Sequence, residues 1–76
     1  MTAVTIKATW DSEAEVWLAE SEDVPGLATG AETMEGLIDK LKVAIPEMLS
    51  ENGIPFEADL LFKIEAGRSE HVSVAA

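Results

Sequence analysis

The chain has no cysteine and no tyrosine, a single histidine and only 5 lysines and arginines. Nowhere does it approach the ~20 consecutive apolar residues that a membrane-crossing helix needs. Without cysteine there is no disulfide framework, no thiolate cage for a metal and no thiol nucleophile. The lone histidine, His71, lies in a polar tail and reads as a surface residue. No Ser-His-acid spacing accompanies it, so nucleophilic catalysis has no support. The scarcity of bases matters most for partners. With 15 acidic residues the net charge is −10. Nucleic-acid affinity comes largely from lysine and arginine on phosphates, so a nucleic acid is not expected as a direct partner. A basic protein is compatible with this charge. The N-terminus lacks a basic region followed by an apolar run, so no secretory signal is read and a cytoplasmic location is expected. No membrane association, cofactor or resident metal is expected either.

What is present fits one small domain. A chain of 76 residues buries only about 60% of its unfolded surface. Hydrophobic residues make up 47% of it, which is high for so thin a core and points to self-association as a homodimer or larger assembly.

The stretch from Asp23 to Gly53 organises the rest. Met34, Leu37, Ile38, Leu41, Ile45, Met48 and Leu49 recur at spacings of three and four, the mark of one helical face. Thr33 is the expected N-cap, and Glu35 places negative charge where the helix dipole favours it. Asn52-Gly53 is the expected stop, with Gly53 left-handed and Ile54 folding back onto Leu49 or Met48. Pro46 interrupts the run: it has no amide hydrogen for the Lys42 carbonyl and disfavours helical dihedrals at Ile45. Because the apolar stripe stays in phase across it, one kinked helix is expected, with two shorter helices as the alternative.

Around the helix the pattern changes to period two. Val4, Ile6, Ala8 and Trp10 alternate with Thr5, Lys7 and Thr9, giving a half-buried strand with Trp10 in the core. After a turn at Asp11-Ser12-Glu13, a second strand follows. Val16 and Leu18 are expected towards the helix, and Trp17 and Ala19 on the opposite face. Pro25 and Gly26 bend the chain into a weak third strand, Leu27 to Glu32, whose Gly30 suggests an edge. Leu60, Phe62 and Ile64 alternate in a fourth strand after Pro55. The expected architecture is α+β, in the order β-β-β-α-β. It comprises a three-stranded antiparallel meander, a fourth strand parallel to the first through a right-handed crossover, and one kinked helix on one sheet face. Residues 1–66 form the domain, and 67–76 form a C-terminal tail that is either a short edge strand through His71-Val72-Ser73-Val74 or disordered.

Two surfaces follow from that arrangement. The sheet face away from the helix is expected to carry Thr5, Thr9, Trp17, Ala19 and Leu61, a partly apolar patch with Trp17 as an interface anchor. The run Asp11, Glu13, Glu15, Glu20, Glu22 and Asp23 contains no base. It is either a solvated hairpin rim or an acidic face that steers a basic partner.

The segment Asp23-Val24-Pro25-Gly26-Leu27-Ala28-Thr29-Gly30-Ala31-Glu32-Thr33-Met34-Glu35-Gly36-Leu37 resembles the central motif of HicB-like antitoxin domains. The shared features are an acidic residue and Pro25-Gly26 before the third strand, then Thr29-x-Gly30-x-x-Thr33 leading into a helix that begins with glutamate. An acidic turn from Asp11 to Glu15 and an aromatic, Trp17, in the second strand also fit. The resemblance covers roughly residues 3–65 and extends to small stand-alone HicB-like domains of unknown function. It implies a partial RNase H-like fold and oligomerisation. It also implies neutralisation of a small basic mRNA-cleaving toxin of the HicA type. Two features depart from the pattern. The residues after Glu65 are too few for the DNA-binding module of full-length antitoxins, and Gly36 stands where glutamate or alanine is more usual.

An RNase H-type site would require carboxylates converging on a divalent metal. The candidates, Asp11, Glu35, Asp39 and Asp59, each have a simpler explanation in a strand end, the helix dipole or solvation. The expectation is therefore a non-enzymatic protein-binding domain. The alternatives are an orphan homo-oligomer of unknown function without a toxin and, remotely, a metal-dependent nuclease.

Overall fold

The longest strand, β1 (Thr2–Asp11), is an inner strand of the sheet with a neighbour on each side. The computed structural model describes residues 2–75. The remaining elements follow as β2 (Val16–Glu20), β3 (Thr29–Ala31), α1 (Met34–Glu51) and β4 (Leu60–Gly67). They form a four-stranded sheet in the order β3-β2-β1-β4. The first three strands are an antiparallel meander, and β4 lies parallel to β1, with Val4 opposite Phe62 and Ile6 opposite Ile64. The α+β architecture expected from the alternation is thus present, with β3 shorter than the run Leu27 to Glu32.

The chain enters that run through a turn over Val24–Leu27. The Leu27 amide donates to the Val24 carbonyl at 3.1 Å, and Gly26 has φ +82°. Proline followed by a left-handed glycine is the signature of a type II turn. The turn lets both Val24 and Leu27 point into the core. Gly26 is constrained twice, because a Cβ there would also lie 2.9 Å from the Met48 methyl.

The helix begins and ends by local chemistry. Thr33 is extended at φ −124°, and its hydroxyl accepts from the Gly36 amide at 3.0 Å. At the other end the Ile54 amide donates to Leu49 (2.9 Å) and the Gly53 amide to Ser50 (3.1 Å), with Gly53 at φ +67°. These are the two bonds of a Schellman cap. Asn52 adds a link that the sequence did not reveal: its side-chain amide donates to the Pro25 carbonyl at 2.9 Å, tying the helix end to the turn before β3. Pro46 sits inside one continuous helix.

The core is a line of four leucine and isoleucine side chains, Leu37, Leu41, Ile45 and Leu49, set over Val4, Ile6, Ala8, Ala19 and Ala31. Spacing of four keeps the line on one side of the helix. Leu60, Phe62 and Ile64 of β4 reach this cluster but are only half-buried.

Strand β2 corrects the expected facing. Ala8 pairs with Ala19 and Trp10 with Trp17, so Trp17 and Ala19 lie on the helix face and Ala19 is buried. Leu18 pairs with Thr9 on the outer face and is 46% exposed. The cause is the four-residue connection from Ser12 to Glu15, which matches even positions of β1 to odd positions of β2 and includes a left-handed Glu15 at φ 57°. A slip of one residue would have reversed every side chain of the strand. Trp10 is also moved from the core to its rim. It is partly exposed, meets Trp17 edge-on at 5.4 Å between ring centres, and is covered by the Arg68 guanidinium at 3.9 Å.

Beyond Gly67 the described residues have no regular structure. Of the two alternatives for the tail, the edge strand at His71–Val74 is not formed within the single chain. The radius of gyration is 14.8 Å and the longest dimension 57 Å, against about 11 Å of gyration for a compact chain of this size.

Candidate functional site

Pairing across the strands defines the face turned away from the helix. Leu18, Thr9 and Gly67 form one row, Glu20, Lys7 and Glu65 the next, then Thr5 with Lys63, then Ala3 with Leu61. Three of the five residues expected there, Thr5, Thr9 and Leu61, lie on this face and are exposed. Trp17 and Ala19 lie on the other. Leu18, which sequence reasoning turned inwards, takes the place assigned to Trp17. Leu18 and Leu61, at 46% and 55% exposure, stand at opposite corners with charged residues of both signs between them. Lys63 and Glu65 approach to 3.5 Å there. Such an exposed pair contributes little stability.

The six acidic residues do not act as one group. The Asp11 carboxylate accepts from the amides of Glu13 (3.0 Å) and Ala14 (3.2 Å) and holds the hairpin turn. Asp23 accepts from the Thr5 amide at 2.8 Å, and the Ser21 hydroxyl donates to the Thr5 carbonyl at 2.6 Å while accepting from the Asp23 amide. β2 reaches only as far as Lys7 along β1. Ser21 and Asp23 therefore satisfy the backbone of Thr5 where a neighbouring strand has ended. Two of the six acids are thus structural. The other four, Glu13 and Glu15 in the hairpin turn, Glu20 at the far end of β2 and Glu22 just past it, are exposed. Among the described residues they make no ion pair. The two exposed pairs are separated by the length of β2, roughly 17 Å.

The motif residues carry backbone geometry. Pro25 and Gly26 form the turn, Thr33 caps α1 and Gly53 closes it. Gly30 lies in β3 opposite Leu18, where a Cβ would come within 3.1 Å of a Leu18 methyl. The Gly30 carbonyl accepts from the Lys40 ammonium, which binds the edge strand to the helix.

The acidic residues weighed as nuclease ligands are dispersed. Asp11 ends β1, Glu35 and Asp39 are on exposed positions of α1, and Asp59 is in the loop before β4. Among the described residues no three His, Cys, Asp or Glu side chains gather into a group able to hold a metal ion. Among the same residues, no helix is long and apolar enough to cross a membrane.

A groove of about 200 Å³ lies between α1 and β4, lined by Leu41, Lys42, Ile45, Pro46, Ala58, Leu60 and Phe62. Beside it, the outer edge of β4 pairs with no strand among the described residues, since β4 ends the sheet. Neither feature was anticipated. The edge position followed only from the strand order, although the tail's alternating Val72 and Val74 were visible.

Comparison with known proteins agrees with this fold and supplies no activity. A family model described as a domain of unknown function (DUF1902) matches residues 3–76. No curated protein matches the sequence. The crystal structure of a hypothetical protein from the extremely thermophilic bacterium Thermus thermophilus is similar, at 48% sequence identity and a TM-score of 0.80. The match covers 92% of this chain and 99% of that one.

Proposed function

Because the chain belongs to the DUF1902 family, a domain of unknown function, we propose a role from its surfaces: it is a non-enzymatic module that works by binding another protein. The observation that carries this reading is the sheet face left bare by the helix, where Leu18 and Leu61 are exposed. The two leucines, at opposite corners with charges of both signs between them, offer separate apolar anchors on an otherwise polar face rather than one continuous patch. The finer form of the proposal follows the HicB-like resemblance. The partner is a small basic mRNA-cleaving toxin of the HicA type, attracted by Glu13, Glu15, Glu20 and Glu22 and covered on contact. Charge of this kind mainly accelerates encounter and makes it sensitive to salt.

The test is co-expression with any short basic chain encoded beside this one. The expected result is rescue of growth together with a complex that survives purification. Replacing the four glutamates by lysine should slow association by about tenfold or more at low salt. A neighbouring basic ribonuclease whose activity and growth defect are unchanged by this protein would overturn the toxin reading. A second reading, self-association without a toxin, is favoured by the free edge of β4.

A further inference from the structure

Strand β4 runs on into a C-terminal arm without regular structure, and the sequence alternation of the strand can be followed into it. Leu60, Phe62, Ile64 and Ala66 share a face with Val4, Ile6 and Ala8, to which the register ties them. Arg68 keeps the phase, because it stacks on Trp10 of that same face. Continued two residues at a time, the alternation places Val72 and Val74 on the helix side as well. Both are 83% exposed. Meanwhile Leu60, Phe62 and Ile64 remain half-buried beside the largely apolar groove, along a strand edge that pairs with no other strand among the described residues. In its own chain the arm leaves this row open, since Val72 and Val74 pack on nothing among the described residues, and the molecule is 57 Å long. The family match also extends over the arm, to residue 76.

We propose that two copies of the chain pair antiparallel through β4 and this arm, about a two-fold axis at Gly67, each arm laying Val72 and Val74 beside the other copy's Phe62 and Leu60. Symmetry limits the register. A two-fold perpendicular to a sheet sets one residue opposite its own copy, so paired positions sum to an even number. With Gly67 at the axis, Val72 meets Phe62 and Val74 meets Leu60, at the ~5 Å Cβ separation of cross-strand neighbours. Centring on Ala66 would set Phe62 against Glu70, and centring on Arg68 would set two guanidinium groups together. Charge supports the same segment. Residues 60–76 carry Lys63 and Arg68 against Glu65 and Glu70, a net of zero in a chain of net −10. Over most of its surface two copies repel each other; here they do not. Pairing would also close the exposed edge, which folded proteins seldom leave open. This inference stands apart from any toxin partner and uses the edge of the sheet, not its outer face.

The absence of cysteine makes the register testable in the full chain. A Cβ at Gly67 meets nothing within 4 Å, so Gly67→Cys should fold normally. Under mild oxidation it should run mostly as a covalent dimer on a non-reducing gel, while Leu61→Cys on the outer face should not. Light scattering should give about twice the 8.1 kDa of one chain for the unmodified protein. The double variant Val72→Asp/Val74→Asp should dimerise roughly 100-fold more weakly, with its circular dichroism retained. A monomer at all accessible concentrations, a dimer indifferent to both aspartates, or cross-linking at position 61 in place of 67 would each overturn the proposal.

Discussion

The two halves of the sheet are covered unequally. Over β2 and β3 the helix lies close, and Ala19 and Ala31 are buried beneath it. Over β4 the inward residues Leu60, Phe62 and Ile64 stay half-open. The difference is one of dimensions. A helix with its side chains is about 10 Å across, whereas the outermost of four strands are about 14 Å apart at the axes. One helix cannot roof four strands, so the chain shelters the meander and leaves β4 under-covered. The sheet edges differ in the same sense. β3 exposes an edge of three residues, held to the helix by Lys40, while β4 exposes one of eight. A single α1 therefore makes one half of the domain self-sufficient and leaves the other half suited to a second surface.

The largest effect should come from the sheltered half. Leu41→Ala removes a fully buried side chain and should cost about 2–5 kcal/mol, enough to unfold much of so small a domain. Phe62→Ala, in the open half, should cost about 1–2 kcal/mol in the monomer. Denaturant melts of the two variants at low protein concentration would measure the gap, and equal losses would break the contrast between the halves.

Next come the connections that hold the meander to the helix. Gly26→Ala faces both a left-handed φ and the Met48 methyl, and should cost about 2 kcal/mol. Gly53→Ala faces the same φ problem in open space and should cost about 1 kcal/mol. Their ratio, read from thermal melts, separates strain from crowding. Asp23→Ala removes the acceptor for the Thr5 amide and should cost about 1 kcal/mol. Hydrogen exchange at Thr5 should speed up in that variant while the helix centre is unchanged. The smallest stability effect belongs to the outer face. Leu18→Lys should change stability by less than ~0.5 kcal/mol but weaken binding of any partner that uses that face. Titration calorimetry would decide this, and a partner indifferent to Leu18 would move the binding site elsewhere.

Much of the fold was legible because much of it is local. The helix limits came from Thr33 and Asn52-Gly53, which act within a few residues of themselves. The alternation of β1 and β4 was equally direct, and strand order followed from chain order with one parallel crossover. The outward positions of Thr5, Thr9 and Leu61 followed from the same alternation. Trp17 and Ala19 were misplaced because Val16-Trp17-Leu18-Ala19 is apolar at every position, so its own pattern does not choose a face. Trp10 was misplaced because the alternation says which way a side chain points and not how far the helix extends above it. The acidic run looked uniform, yet Asp11 and Asp23 hold backbone and the four glutamates do not. That distinction depends on where β2 stops.

Taken alone, the amino-acid order determined where α1 starts and stops, which strands alternate and how the elements succeed one another, since each depends on neighbours within about five residues. The tertiary structure alone decided the face of β2, the structural use of Ser21, Asp23 and Asn52, and how far Leu60, Phe62 and Ile64 stay open. Each of those depends on which residue, distant along the chain, is brought alongside by strand pairing, and on how much of the sheet one helix is wide enough to cover.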